Sequence, residues 1–111
     1  MTDRDALFVY VTAGDRDAAL AIGRALVEAR LAACANVIDG MESVYRWQGA
    51  VEQAQEAVLI LKTRSALLDD LIEKVRDLHD YDCPCVVALP IVGGNPAYLE
   101  WIFEQTAEGG A

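Results

Sequence analysis

Two cysteines flanking a proline, Cys83-Pro84-Cys85, are the sharpest chemical signal in the chain. In an extended segment, residues i and i+2 point to one side with Cα atoms about 6.6 Å apart. Two sulfurs so placed can converge on one soft ion, and His79, the only histidine, lies just upstream. Thiolate with imidazole suits Cu(I), Zn(II) or Cu(II). A disulfide between such close neighbours would be strained and easily reduced. The competing reading is structural. Free cysteine is often a small buried hydrophobe, and the apolar run after Pro84 reads as core. His79 is equally a ligand or a helix C-terminal cap and loop anchor, where a protonated imidazole meets the favourable end of the helix dipole.

Other candidates are spread along the chain. Cys34 sits among alanines, which favours close packing of a small side chain over ligation. Glu52, Glu56 and Lys62 are separated by even steps, so on a regular strand they share a face. With Arg30 they would line a cleft or, alternatively, form a solvated rib of charge. Tyr45, Trp47 and Trp101 read as packing and interface aromatics rather than ligand stackers. No nucleophile–base set and no glycine-rich phosphate loop accompanies them. An acylphosphatase-like enzyme needs a cationic loop around phosphate, and Ala13-Gly14-Asp15-Arg16 offers one arginine beside an acid. Catalysis is therefore not expected.

Bulk properties narrow the class. A chain of 111 residues with 54% hydrophobic content is the size of one domain, 1–111, with a modest core. Nine Lys and Arg against 18 Asp and Glu give a net charge of -9. That field repels nucleic acid and anionic membrane surfaces. Three cysteines without framework spacing suit a reducing compartment. The charged start, Met1 to Asp5, carries no apolar targeting core. No apolar run is long enough to span a bilayer. The expected location is cytoplasmic.

Positioning elements follow from pattern. Ala6 to Thr12 is a continuous apolar and β-branched run, as expected of a strand buried on both faces. Asp15 can cap a helix whose apolar side is Ala18, Ile22, Ala25, Leu26 and Ala29, ending near Leu31. Asn36 to Trp47 looks extended, with a bulge at Gly40, a hairpin turn at Gln48-Gly49 and a returning strand from Val51 to Thr63. Ser65 is expected to cap a second helix with Leu67, Leu68, Leu71, Ile72, Val75 and Leu78 on its apolar face. Pro84 opens a fourth strand, Cys85 to Ile91. Asn95 caps a third helix, with Pro96 at its first position and Tyr98, Leu99, Ile102 and Phe103 inward. The tail from Thr106 to Ala111 reads as frayed.

The order β-α-β-β-α-β plus a C-terminal helix predicts an α+β, ferredoxin-like split βαβ sandwich with a long β2–β3 hairpin. Two helices cover one sheet face only. Tyr10, Tyr45 and Trp47 would then be partly wet in a monomer. A closed homo-oligomer, with pairing between sheet edges, is the expected cover.

At Leu31-Ala-Ala-Cys-Ala-Asn36, Tyr45-x-Trp47-x-Gly49, Glu52, Glu56, Leu61-Lys-Thr63, His79-x-Tyr81, Pro84, Leu89-Pro90 and Tyr98-Leu-x-Trp101 the chain resembles the CutA family of divalent-cation tolerance proteins. These pieces run in order over nearly the whole chain. The resemblance implies a ferredoxin-like subunit in a tight homotrimer, similar in architecture to the PII-type signalling trimers. It implies a role in tolerance of copper and other divalent metals, no firm catalytic activity, and no cofactor needed for folding. The Cys/His patch expected to take copper comprises His79, Cys83, Cys85 and Cys34, of which only Cys34 and His79 carry over from the family by position. Relatives usually carry glutamate where this chain has Cys85, and some carry cysteine where it has Val11. The implied intersubunit cleft holds Arg30, Tyr45, Trp47, Glu52, Glu56, Lys62 and Trp101. A PII-like adaptor that binds a small ligand or partner protein there is the alternative.

Overall fold

The structure, a computed structural model, describes residues 5–107. Strand β1 (Ala6–Ala13) leads to helix α1 (Arg16–Glu28), then to the long hairpin of β2 (Cys34–Trp47) and β3 (Ala50–Arg64). A 3-10 turn (Ser65–Leu67) precedes helix α2 (Leu68–Leu78), strand β4 (Val86–Pro90) and helix α3 (Pro96–Gln105). All pairings are antiparallel, in the order β2-β3-β1-β4. This is the expected ferredoxin-like arrangement with its added helix.

Side-chain alternation divides the sheet into two faces. Leu7, Val9, Val11 and Ala13 of β1 lie level with Leu59 and Leu61 of β3 and pack with Ile22 and Leu26 of α1 and Leu71 and Val75 of α2. Burying a leucine of this kind contributes about 1.5–3 kcal/mol. The opposite face of β1 is only half-buried at Phe8, Tyr10 and Thr12, so the expectation of a strand buried on both sides is corrected. A continuous apolar run does not reveal which face a single chain leaves open.

Helix α3 takes one end of that second face. Ile102 packs with Ala6 and Ala33, and Arg64 stacks over Phe103 at 5.1 Å. Arg64 is 4% exposed, yet its guanidinium is satisfied by Thr106 Oγ1 at 3.0 Å and by the Phe103 carbonyl. Positive charge at a helix C-terminus is favoured by the dipole. Thr106 and Ala107 are accordingly held in place rather than frayed: Ala107 N–H donates to the Arg30 carbonyl at 2.9 Å. Positions 108–111, like 1–4, lie outside the described residues. Of the four residues assigned to the buried side of α3, only Ile102 is fully buried, and Tyr98 is 40% exposed.

Local signals were largely sufficient for the ends of elements. Asp15 caps α1 by accepting from Ala18 N–H at 2.8 Å, and Asn95 caps α3 by accepting from Ala97 N–H at 3.1 Å. The turn at Gln48-Gly49 has φ of 50° and 82°, the paired left-handed geometry that suits strand twist. Gly40, at φ 77°, marks the bulge, where the register passes from Ile38↔Val58 to Met41↔Glu56. Several boundaries moved, among them β2, which begins at Cys34 rather than Asn36. Helix α1 stops at Glu28 because Arg30 turns left-handed at φ 61°. Ser65 begins a 3-10 turn instead of capping α2. Strand β4 starts at Val86 and is an edge, with Val87 and Leu89 exposed, so only one side of this run, Val86 and Ala88, packs against the core. The hairpin projects from the body, with Val44 and Val51 exposed near its tip.

Candidate functional site

The loop after α2 is tied to the sheet by its only imidazole. His79 Nε2–H donates to the Thr12 carbonyl at 2.7 Å, while Nδ1 accepts from Tyr81 N–H at 3.1 Å. A carbonyl only accepts, so these partners define the neutral tautomer with its proton on Nε2. Both ring nitrogens are engaged. The anchor half of the dual reading of His79 is thus the one the geometry displays.

Tyr81 lies against the His79 ring, with centroids 4.5 Å apart, and its hydroxyl donates to Glu56 Oε2 at 2.9 Å. Burial, followed by the bond to Glu56 and its charge, pushes the phenol up to about 12. Burial and the same carboxylate raise the Cys85 thiol. Thiolate, not thiol, is the nucleophile and metal ligand, so this environment makes Cys85 less reactive.

Glu56, Tyr81 and Cys85 border a groove of about 680 Å³ on the open sheet face, at the end that α3 leaves clear. Tyr10, Met41, Tyr45 and Trp47 form its sheet side, with Tyr10 Oη bonded to Met41 Sδ at 3.4 Å. Tyr81, Asp82, Cys83 and Cys85 form its loop side, and Glu42 and Glu56 add charge. Tyr10, Met41, Tyr81 and Asp82 were not singled out from sequence as site residues. Tyr10 had an available signal, since it falls on the opposite parity from Leu7 and Val9.

A second cluster occupies the end covered by α3. Cys34 Sγ lies 3.5 Å from Tyr98 Oη, and Tyr98 stacks on Trp101 at 5.5 Å between centroids. Lys62 Nζ donates to Asn36 Oδ1 at 2.8 Å and sits 6.0 Å over the Tyr98 ring. The contact with Cys34, reinforced by burial, pushes the Tyr98 phenol up to about 12. Arg30 stands at a third place, where Nη2 donates to the Glu104 carbonyl at 3.0 Å.

One chain therefore divides the residues grouped from sequence. Glu52, Glu56 and Lys62 do share a face, opposite Tyr45, Met41 and Cys34 respectively. Six residue steps along the strand nevertheless separate Glu56 from Lys62, about 20 Å. No small ligand spans that within a single subunit. The soft-donor grouping divides likewise: Cys83 and Cys85 line the groove, whereas Cys34 lies at the far end. Among the described residues, no three His, Cys, Asp or Glu side chains are placed to hold one ion. Cys83 and Cys85 are free, exposed thiols that border the groove, two soft donors of the kind that suit a soft cation rather than a closed tetrahedral site.

Residues 7–105 match the family model described as CutA1 divalent ion tolerance protein. The chain is 47% identical to a divalent-cation tolerance protein CutA of Thermus thermophilus over 88% of its own length and 95% of that protein's. It is also 47% identical to the chloroplastic CutA of Arabidopsis thaliana, over 90% of this chain, but spans only 55% of that relative's length. It covers 58% of a rice chloroplastic CutA 1, so it spans about half the length of the plant relatives. The crystal structure of CutA1 from Oryza sativa superposes with a TM-score of 0.91 at 46% identity, covering 94% of this chain and 95% of that one. The Thermus thermophilus structure gives 0.90 at 45% identity, covering 92% and 99%. The family model and these matches cover nearly the full length, and the chain belongs to the CutA1 divalent ion tolerance family.

Proposed function

We propose that the protein works as a homotrimer that binds rather than catalyses, and that it acts in tolerance of divalent metal ions, copper among them. The uncovered sheet face carries this reading. Ile38, Val87 and Leu89 are each more than half exposed on that face, and the hairpin extends beyond any cover its own chain supplies. Further copies are the common way to cover such edges and faces. Assembly also offers a means for the cleft residues Arg30, Glu52, Glu56, Lys62 and Trp101, apart in one chain, to meet across subunits.

Metal handling rests on the family and on Cys83 and Cys85. Two exposed thiols suit weak, open capture of a copper ion, with no cofactor needed to fold. Three free cysteines fit a reducing, cytoplasmic setting, and the charge of -9 disfavours nucleic-acid partners and anionic membranes. No helix among the described residues is long and apolar enough to cross a membrane. Some relatives are named chloroplastic and one structure is titled periplasmic, so fractionation of the native cells tests the location.

Native mass spectrometry on protein purified without added metal tests subunit count and bound ions together. Three subunits are expected, and a well-folded single chain at high dilution would remove the shared cleft. Equilibrium dialysis with copper and zinc should show uptake that a Cys83→Ser/Cys85→Ser variant loses, and unchanged uptake would discard the thiol site. A second reading, a PII-like adaptor trimer, is favoured by the roomy groove beside the hairpin. Metal-independent thermal stabilisation by a small ligand would support it.

A further inference from the structure

The helix layer lies on the side of the sheet away from the proposed subunit contacts, and it has an open seam between the start of α1 and the end of α2. A hollow of about 250 Å³ there runs over buried Ile22, with Ala18 and Ala21 of α1 on one wall and Leu78 of α2 on the other. Leu78 continues the apolar stripe of Leu71 and Val75, which are fully buried, yet 42% of its own surface is exposed. The alanine side chains opposite are too short to cover it. Asp80 stands at the rim and joins this hollow to a second one of about 480 Å³. Four carboxylates, Glu73, Asp77, Asp80 and Asp82, line that second hollow against one guanidinium, Arg76. Among the described residues, none of the four carries an ion pair.

Size and charge then select the occupant. The apolar hollow falls below the roughly 300–1,000 Å³ of ordinary small-molecule sites, and suits a single side chain better than a free ligand. Another copy of this chain brings its own charge of -9 and would set acid against acid. Nucleic acid and anionic membranes are repelled in the same way. A metal ion would leave Leu78 bare, and among the described residues no three of these carboxylates are placed to share one. A basic peptide segment answers both parts: an apolar side chain fills the seam and its cations meet the acids. Lysine and arginine also lay their methylene stems along apolar surface while the charged head stays in water.

We infer that the α1–α2 seam docks a lysine- or arginine-rich segment of a partner protein, with one apolar side chain seated between Ala21 and Leu78 and flanking cations on Asp77 and Asp80. The acids steer and orient the segment, and the seated side chain supplies most of the affinity. Neither the thiols nor the cleft residues line the seam, so a trimer built on the sheet face leaves it open.

Fluorescence anisotropy on the full chain tests it, with a labelled Lys-Lys-Leu-Lys-Lys peptide and its Lys-Lys-Ser-Lys-Lys counterpart at an ionic strength of about 0.15 M, where distant charges are screened. Saturable binding of the leucine peptide is expected, weaker by about fivefold or more for the serine peptide and in each of Leu78→Ala and Asp77→Asn/Asp80→Asn. Asp69→Asn/Asp70→Asn removes the same charge from the other end of α2 and should bind as the parent does. All of these substitutions fall on exposed side chains, so folding should survive them. Equal binding of the serine peptide, no saturation, or an equal loss in Asp69→Asn/Asp70→Asn overturns the inference by reducing it to bulk charge. Sedimentation of Leu78→Ala should give the parent's subunit count, and a lower count would make the seam a contact between copies and overturn the inference too.

Discussion

On β1, Leu7, Val9 and Val11 are at most 1% exposed beneath α1 and α2, while Phe8, Tyr10 and Thr12, their chain neighbours, face the other way and remain half-buried. The contrast widens outward. Leu59 and Leu61 of β3 are fully buried, whereas Leu89 of edge strand β4 is 54% exposed. Both faces are apolar, so hydrophobicity alone does not separate core from interface. The difference is cover: helices whose apolar stripes match the sheet lie on one side, and only α3 reaches part of the other. One face holds the subunit together, and the other is free for copies or ligands.

Substitution on the covered face should have the largest effect. Leu59→Ala is expected to lose about 2–5 kcal/mol of folding stability in urea titration, because the cavity sits between sheet and helices. A loss below that range would mean the covered face is not the dominant core. Gly23→Ala probes the closeness of the same seam. A Cβ there would lie 2.8 Å from Ala35 Cβ and 3.0 Å from Leu59 Cδ1. Overpacking of about 1–3 kcal/mol should outweigh the roughly 1 kcal/mol that alanine gains in a helix. A stabilised Gly23→Ala would show that α1 can retreat from the sheet at little cost.

The open face should respond differently. Leu89→Asp is expected to change subunit folding by no more than about 0.5 kcal/mol. Sedimentation should nevertheless move toward a single chain, since the new charge would have to be buried between copies. Unchanged assembly would mean that this part of the face is not the contact. The smallest effect concerns the phenols. Tyr81 and Tyr98 are both pushed up to about 12 from the usual 10. A raised folded-state value stabilises fully below pH 10 and is lost as pH climbs toward 12. Melting temperature should therefore fall across that window, with two of the four tyrosines resisting phenolate formation in ultraviolet titration. In Tyr81→Phe, one of those late phenols should disappear.

Much of the site was legible residue by residue and illegible as a set. Cys83, Cys85, Tyr45, Trp47 and Glu56 were marked in advance and do border one groove. Lys62, Trp101 and Cys34 were marked too, yet they gather around Tyr98 at the opposite end. Even spacing says that strand residues share a face, but not how far apart a ligand would find them. Tyr81 was visible within a motif, but its bond to Glu56 joins residues 25 positions apart.

Local chemistry specified what depends on neighbours along the chain: the caps at Asp15 and Asn95, the left-handed turn at Gln48-Gly49, the bulge at Gly40 and the order of elements. These rest on backbone geometry and hydrogen bonds within a few residues, which the side-chain types announce. Packing settled the rest, namely which face of β1 is covered, why β4 is an edge, and where Arg64 and His79 find their partners. Those outcomes depend on which distant surfaces are buried together, and a one-dimensional pattern records a side chain's preference for burial without naming its neighbour.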